Sequence, residues 1–246
     1  MAAGEVPQRT PMATTSYTPR TIAFLCDLLH AAKTPDNQAV QQLHNELFGQ
    51  GDPPYSSFAV TPMGPLLTNP ANRPGVVSQV VFLPDRIQFR EEYGGLTCDS
   101  FAERVRTIAT MATERCGVDQ ILAQQVTIRS LINPRNYADS IEFMKDGLLG
   151  VAEEVECLGR DPRILGLRLV FPPGEESPTA NALRIESFHQ DPRSLYVENQ
   201  GTFRALDSEG DLREVEENVT ETYRFLVDRA LRFVGAFDQA ASTDQP

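Results

Sequence analysis

A pattern of two apolar runs, a tight turn and an amphipathic helix occurs twice in this chain, and it restricts the possible folds more than any single motif does. At 77–116 the two runs flank a Pro-Asp pair at 84–85, and at 183–237 they flank an Asp-Pro pair at 191–192. Aspartate and proline are typical turn residues, so each pair predicts a β-hairpin. The sequence therefore predicts a strand–turn–strand–helix unit in each half of the chain.

The segments around these units predict an α+β fold. Apolar residues spaced three and four apart predict a helix at 21–32, and a second helix is predicted to end near Phe48, so that the two form an N-terminal helical hairpin. Further strands are predicted at 123–132 and 164–171. Antiparallel strands covered by helices on one face satisfy this pattern. We therefore predict two similar lobes, each an antiparallel sheet (strand plus hairpin) packed against a long helix.

The composition along the chain predicts five segments. The arm at 1–20 is rich in proline and threonine, and both this arm and the tail at 239–246 are predicted to be flexible. Between them lie a first lobe at 21–133, connecting helices at 134–163 and a second lobe at 164–238.

Charge and hydropathy narrow the classes of partner. The chain carries a formal net charge of −12. An acidic surface repels phosphate backbones and anionic lipid headgroups, so the sequence favours no nucleic acid and no membrane as partner. No apolar run approaches the ~18 residues of a membrane span, and residues 1–20 lack the apolar segment of a signal peptide. We therefore expect a cytoplasmic protein in which Cys26, Cys98, Cys116 and Cys157 stay free thiols.

No catalytic or cofactor motif is present in the sequence. It contains no phosphate-binding Gly-rich loop, no nucleophile elbow and no zinc-protease helix motif. The sequence therefore predicts no cofactor, no metal site and no catalytic residue. The acidic stretch 207–211 has the composition of a calcium loop, but Gly210 directly precedes Asp211, which does not fit the EF-hand spacing. A turn is predicted there instead.

Four residues are the candidates for binding a ligand. Arg129, Asn133 and Arg135 lie around the end of the predicted central strand, where polar side chains can line an anion pocket. The alternative for the two arginines is surface salt bridges. His189 lies near the tip of the second hairpin with two acids close in sequence, so it is either a general base or metal ligand, or an exposed structural histidine.

The layout of the strands also resembles that of a known family. The runs at 79–93, 125–133 and 167–171, with Phe101 between the first two, resemble the pattern of a sporadically distributed, uncharacterised bacterial protein family of similar length. In that family a strand with an Arg-Tyr-Ile-Asn-like segment follows the first helix, whereas the segment at 128–133 reads Ile-Arg-Ser-Leu-Ile-Asn and lacks the tyrosine. The family has no established activity, so the resemblance implies a fold layout and no mechanism.

The sequence favours a non-catalytic protein that binds another protein or itself. Pro62 and Pro65 interrupt the strand pattern at 58–67, and since proline cannot donate to a strand ladder, this strand is predicted at a sheet edge. Edge strands are natural pairing surfaces for other chains. The alternative is an enzyme or small-ligand-binding protein that uses the cleft between the lobes, which would bring the candidate residues into one concave pocket.

Overall fold

Nine strands of the described chain form one antiparallel sheet, in the order β2-β3-β4-β5-β1-β6-β9-β8-β7. The computed structural model describes residues 15–175, 177–206 and 212–239. The strands are β1 (Arg20–His30), β2 (Ser57–Thr61), β3 (Gly64–Thr68), β4 (Val77–Phe82), β5 (Arg86–Glu92), β6 (Ile121–Ile132), β7 (Gly166–Phe171), β8 (Ala180–Ser187) and β9 (Leu195–Phe203).

Helices pack on one face of this sheet. Those that bury side chains there are α1 (Asn37–Gly49), α2 (Cys98–Arg115), α3 (Ser140–Glu142), α5 (Arg213–Arg224) and α6 (Leu231–Gly235), whereas the short helix α4 (Ala152–Glu156) has no buried residue. The π-helical segment Phe143–Leu149 continues α3, and Phe225–Ala230 joins α5 to α6 in the same way. Alternate strand residues share a core with α1, α2 and α5, while the side chains between them form an open face that is largely polar and half-buried.

Both predicted hairpins are present, and each is followed by a helix that packs on the sheet. β4 pairs with β5, and α2 follows; β8 pairs with β9, and α5 follows. The predicted α+β class, with antiparallel strands beneath helices, is confirmed. The strands predicted for two lobes, however, form a single sheet, because β1 and β6 pair side by side at its centre, with Cys26 opposite Val126.

The predicted N-terminal helical hairpin is wrong, because the segment predicted as its first helix is β1. Phe24, Cys26 and Leu28 are buried in the core, while Leu25 and Leu29 are half-buried on the open face. β1 lies between β5 and β6 in the middle of the sheet, and apolar side chains extend from both of its faces. Apolar residues arranged in this way match helical spacing as well as strand alternation. The segment forms a strand because it pairs with a neighbouring strand on each side.

Buried amides fix the position of α5 on the sheet. Gln124 of β6 donates from Nε2 to the carbonyl oxygen of Val215 at 3.0 Å and accepts from Nδ2 of Asn218 at 2.8 Å. Asn199 of β9 donates from Nδ2 to the carbonyl oxygen of Thr222 at 3.0 Å. Because buried polar groups are costly unless they are paired, these bonds favour one register of α5 against β6 and β9.

Three predicted segments fall wholly or mostly outside the described residues. They are the arm up to residue 14, the acidic turn at 207–211 and the tail from residue 240 onward. The described end of the arm contacts the last helix, since the N–H of Thr15 donates to the carbonyl oxygen of Gly235 at 3.1 Å. Among the described residues, no helix has the length and apolar character needed to cross a membrane.

Candidate functional site

Arg129 lies on the open face of the sheet, where carboxylates pair with it. Its Nε donates to Glu198 Oε2 at 2.7 Å, and its Nη1 lies 3.8 Å from Glu92 Oε1. Burial would lower the pKa of Arg129, but Glu198 and Glu92 outweigh that effect and raise it. Arg184 of β8 also stands opposite Glu198, at 3.8 Å. The four side chains form a cross-strand ladder of alternating charge, in which Arg129 is neutralised.

Asn133 and Arg135 lie in one groove at the end of β6. The groove has a volume of about 710 Å³ and lies between the segment that precedes β1, the turn after β6 and the turn that joins β8 to β9. Arg20 and Arg193 line it as well. Ser194 Oγ lies 3.0 Å from Asn133 Oδ1, so the turn after β6 contacts the β8–β9 hairpin. The structure thus brings two of the four candidates together and adds two arginines to them.

His189 does not line this groove. It is exposed in the β8–β9 turn, and its ring lies against Phe188, with 5.9 Å between the ring centroids. Glu186 pairs with Arg184 at 2.6 Å, and Asp191 accepts hydrogen bonds within its own turn. Within the described residues, neither acid orients His189, so the partner that a histidine general base needs is not assembled around it.

A buried carboxylate anchors the groove. Asp238, which follows α6, accepts hydrogen bonds from the Tyr17 hydroxyl, from the N–H of Arg135 at 2.8 Å and from the N–H of Asn136 at 3.0 Å. Burial alone would raise the pKa of Asp238, but these hydrogen bonds outweigh burial and lower it. The Arg135 guanidinium lies 5.9 Å from the centroid of the Tyr17 ring. An ionised Asp238 therefore joins three segments that are distant in sequence.

Sequence reasoning missed Arg20, Arg193 and Asp238. The two arginines approach Asn133 because β1 and β9 are the two neighbours of β6 in the sheet. Placing these two arginines beside Asn133 requires the order of the strands in the sheet, and the sequence alone does not give that order. A single aspartate after an amphipathic helix gives no signal that it is buried.

β7 is a second candidate surface because it forms one edge of the sheet. Within the described residues it pairs with β8 alone. Val170 is 64% exposed and Phe171 is 41% exposed. Exposed apolar side chains on an unpaired edge are typical of a surface that pairs with another strand.

The backbone groups of β7 alternate between those that face β8 and those that point outward. The N–H of Ser187 donates to the carbonyl oxygen of Leu165 at 3.0 Å, so these two residues form a hydrogen-bonded pair at the start of the ladder. Hydrogen-bonded and non-bonded pairs alternate in an antiparallel ladder. The register therefore directs the N–H and C=O groups of Gly166, Arg168 and Val170 away from β8.

β2 forms the opposite edge, at the position where the proline pattern predicted an edge strand. The predicted single strand is a hairpin of β2 and β3: Pro62 lies in the turn between them, and Pro65 stands opposite Val60. β2 is five residues long, against six for β7, and Pro62 ends it directly. Short strands and proline protect edges from pairing, so β7 is the less protected of the two edges.

Comparison with known proteins provides no relative from which a function could be inferred. No protein-family model matches this chain, and no curated protein or solved structure is similar enough to count as a match. The resemblance to the uncharacterised bacterial family therefore stays a prediction. In the described part of the chain, no group of three or more His, Cys, Asp or Glu side chains is arranged to hold a metal ion.

Proposed function

We propose that this chain is a non-catalytic binding protein that pairs β7 with an extended segment of a partner protein. The observation that carries this proposal is the outward row of backbone groups on Gly166, Arg168 and Val170, beside the exposed side chains of Val170 and Phe171. In strand addition, main-chain hydrogen bonds supply affinity and the flanking side chains supply specificity. β7 offers both.

The order of the strands supports the same edge. We infer that the halves of the chain share a repeated unit, because the sheet is symmetric in sequence order about the β1–β6 pair: β5 corresponds to β9, β4 to β8 and β3 to β7. α2 follows β5 as α5 follows β9. β3 is covered by β2, whereas β7 has no further strand beside it in the described residues. A partner strand on β7 would take the place that β2 takes on β3.

The alternative of an enzyme receives less support from the side chains. A catalytic cleft was expected to bring Arg129, Arg135 and His189 together. Arg129 is neutralised by Glu198 and Glu92 on the open face, and His189 is exposed outside the groove that contains Arg135. The groove that contains Arg135 is thus lined by neither Arg129 nor His189, which favours the binding proposal over an enzyme.

The test is a proline substitution that removes one outward donor. Val170→Pro deletes the outward N–H of residue 170 and leaves the hydrogen bonds between β7 and β8 in place, since proline is tolerated on the free side of an edge strand. Val170→Thr is the matched control, because threonine is β-branched, similar in size and retains the N–H. Peptides would be selected from a displayed library against the wild-type protein, and self-association would be measured by light scattering after size exclusion.

We expect peptides of alternating apolar character, or a self-associated form, in the wild-type protein and in Val170→Thr. The affinity for these peptides and the strength of self-association should both fall about tenfold in Val170→Pro. This corresponds to the loss of one main-chain hydrogen bond and its strand geometry. A strictly monomeric protein that selects no peptide would refute the proposal. So would peptides that bind Val170→Pro as tightly as they bind the wild-type protein.

A further inference from the structure

The groove at the end of β6 contains arginines that have no carboxylate partner. Arg20, Arg135 and Arg193 form no ion pair within the described residues, unlike the arginines of the open face. Asp191 is the one acid among the described residues that line the groove, and its oxygens accept from the N–H of Arg193 at 3.3 Å and from the Ser194 hydroxyl at 2.7 Å. The lining thus has two positive charges in excess, in a chain whose net charge is −12.

The polar groups of the groove are mostly donors. The Ser194 hydroxyl gives its one proton to Asp191 Oδ2 at 2.7 Å, and the exposed Asn133 amide carries two N–H donors at Nδ2 that can bind a ligand. Arg135 uses Nη2 to donate to the carbonyl oxygen of Ser16 at 2.8 Å, and a guanidinium has further N–H groups beyond that one. Asp238 fixes the backbone of Arg135. Several donor groups that line one groove are suited to an anion.

We propose that this groove binds a small molecule that carries a phosphate or diphosphate group. Guanidinium groups present planar forks that match phosphate oxygens, and three of them line one concave surface. The volume of about 710 Å³ accommodates a ligand larger than phosphate alone. This inference is independent of the β7 edge, so either proposal can fail without the other.

The charge of the whole chain favours a small anion over a nucleic acid. Electrostatic interactions are screened over a Debye length of about 8 Å at physiological ionic strength, so a compact ligand in the groove interacts mainly with the local arginines. A nucleic acid would extend beyond the groove over a surface that belongs to a chain of net charge −12. Each phosphate outside the groove would then add repulsion.

The experiment is a calorimetric titration of the full chain with inorganic phosphate, pyrophosphate, ATP and a glutamate-rich peptide. The test variant is Arg20→Gln with Arg193→Gln, which removes two charges from the groove and leaves Arg135 and its contacts intact. The matched control is Arg160→Gln with Arg163→Gln, which removes two charges from exposed arginines that do not line the groove. Far-ultraviolet circular dichroism checks that each variant is folded.

We expect one saturable site for pyrophosphate or ATP, with an affinity that falls as salt is added. The groove variant should lose roughly tenfold or more of that affinity, because each lost charge-assisted bond weakens binding severalfold. The control variant should bind within twofold of wild type. Absence of binding by any phosphate probe, or an equal loss in the control, would overturn the inference. Tighter binding of the peptide than of pyrophosphate would also overturn it, because the groove would then select carboxylates on a polypeptide.

Discussion

The anchor at Asp238 gives the sharpest test of how the groove is held. Replacing Asp238 with alanine removes the acceptor for Tyr17, for the N–H of Arg135 and for the N–H and side-chain amide of Asn136. Each such bond contributes about 1 kcal/mol net, so with allowance for the partial exposure of Tyr17 we expect Asp238→Ala to lower the free energy of unfolding by about 3 kcal/mol. Asp52→Ala, at an exposed aspartate, is the control and should change it by less than about 0.5 kcal/mol.

The assay is urea denaturation followed by far-ultraviolet circular dichroism, with hydrogen exchange at Arg135 and Asn136 as a local readout. Exchange separates the two ways in which the anchor can be lost. If only the segment before β1 detaches, the amides of Arg135 and Asn136 lose protection while the global midpoint moves little. If the anchor contributes to global unfolding, both change. Unchanged exchange at these two amides would refute the anchoring role, and an unchanged midpoint would refute the predicted loss of about 3 kcal/mol.

The pH dependence of a second variant, Asp238→Asn, follows from the lowered pKa of Asp238. A carboxylate with a lower pKa in the folded state contributes stability that is fully present above its unfolded value of about 3.9 and is lost as pH falls through the folded pKa. The difference in stability between wild type and Asp238→Asn should therefore be constant from about pH 5 to 8 and should shrink below about pH 4. A difference that grows on acidification would contradict the assigned role of the charge.

Two further predictions concern a buried carboxylate and the four cysteines. Glu91 is 4% exposed and accepts hydrogen bonds from Arg104 at 2.6 Å and from Tyr55 at 3.0 Å. Because Arg104 would lose its buried partner, Glu91→Ala should lower the free energy of unfolding, measured in urea, by about 3 kcal/mol; a loss below about 1 kcal/mol would contradict this role. Burial is the main cause that raises the pKa of Cys116 to about 11 and of Cys98 to about 12, and Cys26 is fully buried. A thiol reagent at pH 8 should therefore react rapidly with exposed Cys157 alone in the native protein and with all four thiols in urea. Rapid reaction of a second thiol in the native protein would argue against the described packing.

The hairpins and most of the helices could be predicted because their signals are local. The Pro-Asp and Asp-Pro turns split apolar runs, and the helices that follow carry stripes at helical spacing. β1 could not be predicted in this way. Its central place in the sheet depends on β5 and β6, which lie at 86–92 and 121–132, and the sequence of β1 alone carries no record of those neighbours.

The candidate site was predictable in part for the same reason. Asn133 and Arg135 follow a strand directly, so their position at a sheet end could be inferred from the sequence nearby. Arg20 and Arg193 reach the same groove through the pairing of β1 and β9 with β6, which is a long-range property. Arg129 was expected either in a pocket or in surface salt bridges, and the register that sets it opposite Glu198 favours the second alternative.

The β8–β9 hairpin connects the two proposed surfaces. β8 pairs with β7 along the edge, and the turn that joins β8 to β9 contacts Asn133 through Ser194. The core fixes this hairpin between β7 and the turn after β6, because its side chains Leu183, Ile185 and Val197 are buried. Coupling between sites requires an element with two arrangements that both ligands bias. A hairpin fixed by the core in this manner favours independent binding at the two proposed surfaces, the β7 edge and the groove.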